Sequence, residues 1–159
     1  KHGFRLPKLS RDPDKRWNMI RQLVTHLFEH ERIHTTYTRA MALRRYAERT
    51  ISKAKRGSEK GREQVYEIVT DPFSFFDRTR LTTRLETNYS GKGLHVLAER
   101  YRNRPGGYTR VWKIGWSQDD YRNPMAFIEL VDSKNDLRKQ FTRLAETMKA
   151  KQDAITQSQ

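Results

Sequence analysis

The sequence predicts an α+β fold: several helices packed on one face of a small, mainly antiparallel three-stranded sheet, with a C-terminal helical extension. Two observations carry this prediction. Apolar residues recur at helical spacing in long stretches before residue 31, after residue 38 and after residue 136. Three shorter runs, "IHTTYT", "YTRVWKIGW" and "MAFIELV", are rich in β-branched and aromatic residues and read as strands at 33–37, 108–116 and 125–131. The 159 residues suit one domain with an added tail.

In chain order, residues 1–11 read as an extended basic arm. Lys1, Arg5, Lys8 and Arg11 are spaced by Gly3 and Pro7, with too little apolar surface to fold without a partner. "RDPDKRW" opens a helix, with Asp12 as cap, Pro13 in the first turn and Asp14 at the positive dipole end. Trp17, Ile20, Leu23, Val24, Leu27 and Phe28 form its apolar face to about Glu31. After the first strand, Thr38 is the expected cap of a second helix. Ala40, Leu43, Ala47, Ile51 and Ala54 share one face of it, and Gly57 ends it. Ser58 caps a third helix carrying Val65, Ile68 and Val69, which Asp71-Pro72 breaks.

A helix is expected over 77–88, then a turn at 90–93, then a helix over 94–104 with Leu94, Leu97, Ala98 and Tyr101 on one side. Pro105-Gly106-Gly107 ends that helix and opens a hairpin whose loop holds Asp119, Asp120 and Asn123. Ala126, Ile128 and Leu130 should face the helices, and Trp112 and Trp116 should share a strand face, expected to pack into the core in preference to stacking on bases. From Asp136 a final amphipathic helix shows Leu137, Phe141, Leu144, Met148 and Ile155. No internal repeat is present.

Charge narrows the function classes. Hydrophobic residues make up 35% and charged residues 33%, which supports a modest core under a large charged surface. The net charge is +14, so a polyanionic partner is expected: nucleic acid first, an anionic membrane second. Residues 1–56 hold 15 Lys/Arg against 5 Asp/Glu, so the anion-facing part is the N-terminal third. No stretch approaches the roughly 18 apolar residues of a membrane span. The first residues lack an apolar signal core and an initiator Met, which leads us to expect a processed product. With no cysteine there are no disulfides or thiolate sites, which fits a reducing interior.

One motif points elsewhere. "HERIH", residues 30–34, matches H-E-x-x-H, in which two histidines one helical turn apart bind Zn²⁺ and the Glu activates water. That chemistry needs a helix through both histidines and a third ligand. The β-branched run from Ile33 argues that the helix stops near Glu31, and Tyr37 and Ala40 occupy the positions of the extended motif. We expect no metal, no cofactor and no catalysis. No G-x-x-x-x-G-K or nucleophile elbow is present either. A free-standing module for RNA or membrane surfaces is the remaining rival.

Two long stretches, residues 23–55 and 104–132, carry a far more specific pattern. His30-Glu31, Ile33 and Thr35-Thr36 are followed by Leu43-Arg44-Arg45 and Ala54-Lys55, then by Gly106 to Arg110 and Pro124 to Asp132. In this order they resemble the L-seventeen family of large-subunit ribosomal proteins. The resemblance covers roughly 1–70 and 94–132. Residues 71–93 look longer than in the compact bacterial form and 133–159 form an extra tail, which favours an organellar version; the HERI wording and the absent initiator Met lean towards the mitochondrial one, with a chloroplast or bacterial version as the alternative. The division then reads as a basic arm at 1–11, a single domain at 12–132 with an insertion at 71–93, and an extension at 133–159.

The resemblance implies a non-catalytic protein that binds large-subunit rRNA near the nascent-chain exit side, alongside other ribosomal proteins. Lys1, Arg5, Lys8 and Arg11 would thread between RNA helices, and Lys15, Arg16 and Arg21 continue that surface. On the second helix Arg39 and Arg44 join a stripe of Arg45, Arg49, Lys53 and Arg56. Gly106 and Gly107 allow close backbone approach, flanked by Arg100, Arg102, Arg104 and Arg110, with Tyr108 placed either to stack on a base or to pack in the sheet. Leu137, Phe141, Leu144 and Met148 are expected to dock on a neighbouring protein. Neither a membrane insertion nor a small-molecule substrate is expected.

Overall fold

A computed structural model describes residues 7–69, 96–116, 123–133 and 136–157. Lys1, Arg5, Leu94, Asp119, Asp120, the helix expected over 77–88, the turn at 90–93 and the side chain of Ile155 lie outside them. The described elements run α1 (Pro13–His30), β1 (Arg32–Thr36), α2 (Tyr37–Arg56), α3 (Glu59–Ile68), helical residues 96–100 (α4), β2 (Thr109–Trp116), β3 (Pro124–Leu130) and α5 (Leu137–Gln157). The fold is α+β, with a fully antiparallel sheet in the order β1-β3-β2.

Helix α1 starts as its sequence requires, with Pro13 in the first turn, and buries Ile20, Val24 and Leu27 along one face. Asp12 is the N-cap residue, but its carboxylate makes no capping bond and lies 3.7 Å from Lys15 Nζ. The helix stops at Glu31, which takes a left-handed conformation (φ 60°) usually left to glycine. Two long-range contacts hold it there. Its carbonyl accepts from Leu130 N at 2.8 Å, and its carboxylate accepts from Arg100 Nη2 at 2.5 Å. Strand β1 therefore leaves α1 already joined to β3.

Helix α2 begins at Tyr37, earlier than expected. Thr36, not Thr38, is its N-cap, because β1 ends in an extended residue (ψ 147°) that hands straight over to the helix. Gly57 closes it in the left-handed region (φ 65°). No atom lies within 4 Å of where a Cβ would stand, so the backbone angle alone requires glycine. Ser58 caps α3 as expected, its hydroxyl accepting from Gly61 N at 3.2 Å. Of the helix expected over 94–104, residues 96–100 are helical, and Arg104 N bonds to Tyr101 O in a closing turn.

One hydrophobic cluster joins the elements. Leu27, Leu43, Ile51, Ile128 and Leu130 are fully buried, each contributing about 1.5–3 kcal/mol by leaving water. Ala126, Ile128 and Leu130 face the helices as the strand alternation predicted. The tryptophans do not. Trp112 sits on the opposite sheet face, outside this cluster, and Trp116 is 60% exposed. An irregularity between Lys113 and Gly115 (φ 132°) breaks the alternation that would have carried both into one packed face.

Candidate nucleic-acid interface

The described end of the arm is not extended. Leu9 and Ser10 both take positive φ, Arg11 N bonds back to Lys8 O at 3.3 Å, and Arg16 Nη1 donates to the same carbonyl at 3.4 Å. The resulting turn folds against the start of α1. It leaves an open concavity of about 620 Å³ lined by Lys8, Leu9, Ser10, Arg11, Asp12, Lys15 and Arg39. Four cations and one carboxylate thus surround a hollow where the arm meets α1 and α2.

The second basic feature is the outward side of α2. Arg45, Arg49 and Arg56 are exposed and Lys53 is half-buried; among the described residues none has an acidic partner within ion-pair distance. Like charges at these spacings repel, so the stripe is not self-stabilising. Arg44 stands apart, because its Nε reaches Glu48 at 3.5 Å and Glu48 also accepts from Thr109 Oγ1 at 2.9 Å. Arg21 is drawn inward beside Glu67 of α3. Burial lowers its guanidinium pKa against the opposing charge of Glu67.

Of the four cations flanking the glycine turn, Arg100, Arg104 and Arg110 are turned to internal use. Arg100 pairs with Glu31. Burial lowers the Arg100 pKa, but the Glu31 bond outweighs it and the guanidinium ends above its ordinary value. Arg104 spans the turn, its Nε donating to Gly106 O and Gly107 O at 3.3 Å and its Nη1 lying 3.1 Å from Asp132. Arg110 Nη1 lies 2.9 Å from Asp136 and 3.4 Å from Glu129. Arg102 is exposed, 3.5 Å from Glu99. Tyr108 is 2% exposed and packs against Tyr101 with centroids 5.1 Å apart, so its face is taken by the core and not open to a base. Its hydroxyl accepts from Lys55 Nζ at 3.1 Å.

The buried acids complete this lock. Glu129 accepts from Trp112 Nε1 at 2.7 Å and, through its other oxygen, from Leu137 N at 3.1 Å. Asp136 accepts from Arg138 N at 2.9 Å and Asp132 N at 3.1 Å. Burial raises the Asp136 pKa, yet these bonds and the Arg110 charge hold it below the ordinary carboxylate value. The zinc-like letters are dispersed by the same fold: His30 ends α1, His34 lies in β1, and Glu31 between them is engaged by Arg100.

Sequence reasoning missed Lys55, Arg32, Lys113 and Phe127. Lys55 holds the glycine turn, while Arg32 and Lys113 lie 5.7 Å over the rings of Phe127 and Tyr37. Strand pairing brings Arg32 near Phe127, and the handover from β1 to α2 sets Tyr37 beneath Lys113.

The family model described as ribosomal protein L17 matches residues 19–131, most of the chain. The chain belongs to the ribosomal protein L17 family. It is 36% identical over 98% of its length to large ribosomal subunit protein bL17 of Syntrophobacter fumaroxidans, covering 93% of that protein. It is 41% identical over 86% of its length to the bL17m protein of Dictyostelium discoideum, of which it spans 65%. The bL17m protein of Neurospora crassa is 35% identical over 94% of this chain and 69% of its own length. The resemblance to the L17 family read from HE-I-TT, GGYTR and PMA-IELVD is thereby established. In this member the GGYTR and IELVD residues form much of the internal lock.

Proposed function

We propose that this chain is a structural constituent of the large ribosomal subunit that binds and stabilises large-subunit rRNA and carries out no chemical step. Membership of the L17 family supports the ribosomal role. The observation that carries RNA contact is the stripe of Arg45, Arg49, Lys53 and Arg56, which among the described residues has no acidic partner, joined by the hollow of Lys8, Arg11, Lys15 and Arg39. Phosphates are the partner that clustered, solvent-facing cations attract, and counterion release supplies the affinity. Arg16 and Arg102 extend this surface, and Lys1 and Arg5, outside the described residues, are proposed as further phosphate contacts; Arg21, Arg44, Arg100, Arg104, Gly106, Gly107, Tyr108 and Arg110 support it from within.

We propose that the chain works in a mitochondrial ribosome, near the nascent-chain exit side; the bL17m relatives of Dictyostelium discoideum and Neurospora crassa support this compartment, and the bacterial bL17 match keeps a bacterial cytoplasm or a chloroplast as the alternative. No described helix is long and apolar enough to cross a membrane. Helix α5 serves a protein neighbour. Phe141, Leu144 and Met148 are 57–61% exposed, and with Leu137 they repeat at 4-3-4 spacing. Gln140, Ala145, Thr147 and Gln152 beside them carry no charge. That pattern fits a second helix laid along the stripe, as in a short coiled coil.

Sedimentation of a mitochondrial lysate tests the reading. The protein should travel with large subunits at moderate and at high salt. Recovery at the top of the gradient at moderate salt would end the ribosomal assignment, and its presence on ribosomes of another compartment alone would end the mitochondrial one.

A further inference from the structure

Helix α5 is rooted in the sheet and then leaves the fold. Two buried acids hold its first turn: Glu129 accepts from Leu137 N at 3.1 Å, and Asp136 accepts from Arg138 N at 2.9 Å. Every residue from Arg138 to Asp153 is nevertheless exposed. A helix of 21 residues, about 31 Å long, gains little stability when nothing packs on it. Its charges are sorted around the stripe of Leu137, Phe141, Leu144 and Met148. At about 100° per residue, its two acids, Glu146 and Asp153, lie on the side opposite the stripe. Arg143 and Lys149 stand between, one on each side, and Lys151, three residues after Met148, continues the apolar row. Among the described residues, Arg138, Arg143, Lys149 and Lys151 have no acidic partner within ion-pair distance, whereas Lys139 lies 3.0 Å from Asp132.

We propose that this stripe is covered by an amphipathic helix flanked by Glu and Asp, carried by a neighbouring large-subunit protein. The inference rests on the ribosomal reading above and gives the protein neighbour of α5 a chemistry. A single apolar row bordered by uncharged Gln140, Ala145 and Thr147 is the narrow seam of a helix pair. The nearest charges outside that border are cations, so the partner's flanks must be acidic, and a carboxylate must meet Lys151 where the seam ends. A second copy does not meet this need, since each chain carries +14 and a parallel pair would set Lys151 against Lys151. RNA phosphates would satisfy the cations but leave Phe141, Leu144 and Met148 in water. An anionic membrane surface takes a broader apolar face than one row provides. The fixed root lowers the ordering cost of docking, because the first turn is already in place.

The test is zero-length coupling by a carbodiimide on purified large subunits, which joins a lysine amine to a carboxylate in direct contact. Lys149 or Lys151 should be joined to Glu or Asp within an amphipathic helical segment of another subunit protein. Lys149→Glu combined with Lys151→Glu should lower the recovery of the chain in large subunits about tenfold, through like-charge repulsion, and leave thermal unfolding of the isolated protein unchanged. Subunits that contain the chain but join neither lysine to a carboxylate of another protein would overturn the proposal. Coupling of α5 to a second copy, photochemical coupling of α5 to rRNA, or capture of α5 by vesicles of anionic phospholipid in place of the carboxylate contact would overturn it as well. Large subunits that lack the chain altogether would remove the ribosomal reading and this inference with it.

Discussion

At the scale of single residues, the lock around the glycine turn sets the chemistry that can be tested most directly. Tyr101 is buried, and its hydroxyl donates to Val131 O. Burial pushes that hydroxyl pKa up from 10.0 to about 12, with Arg100 acting weakly in the other direction. A folded-state pKa above the unfolded one gives stability that is complete below pH 10 and lost as pH rises through about 12. Urea unfolding should thus show stability falling between pH 10 and 12 in the parent chain, and less steeply in Tyr101→Phe. At neutral pH that substitution should cost about 1 kcal/mol, the net value of a buried hydrogen bond. The fate of HERIH is decided at this scale too. A glutamate accepts a left-handed angle because Leu130 and Arg100 hold it, and that one residue ends the helix a zinc site would need.

At the scale of elements, α5 is the clearest case of a surface without a use inside the chain. Replacing Phe141 and Leu144 together by Asp should leave thermal unfolding of the isolated protein within about 0.5 kcal/mol, since both side chains already face water. The same variant should be incorporated poorly into large subunits, read from its share in the sedimented fraction. The apolar periods of α1, α2 and α5 were legible in the sequence because amphipathic helices state their buried face locally. Ser58 and Gly57 were legible as caps for the same reason. The start of α2 was not, since Thr36 and Thr38 offer equal local chemistry and strand pairing chooses between them. Nor was the place of Trp112 and Trp116, because a bulge at Gly115 follows from hairpin geometry and not from alternation. The arginines were legible as cations but not by partner. Arg104 and Arg110 find Asp132 and Asp136 only once the hairpin has closed.

At the scale of the whole molecule, the charge is sorted into cations that hold the fold and cations that face outward. Arg45→Ala combined with Arg49→Ala should reduce the slope of log affinity for RNA against log salt by roughly one unit per residue. Arg104→Ala should lower stability and leave that slope unchanged; titrations at several salt concentrations separate the two. The sheet order β1-β3-β2 carries a consequence in time. The central strand is the last of the three to be made, so β1, synthesised early, waits for its partner while most of the chain emerges. Until β3 arrives, Leu43 and Ile51 have no sheet to pack against, and the early helices stand with their apolar side uncovered. Closing so long a loop is slow relative to forming a helix. The nascent protein therefore passes through an interval in which its basic half is complete and its core is not, when it is most open to aggregation and most in need of a companion.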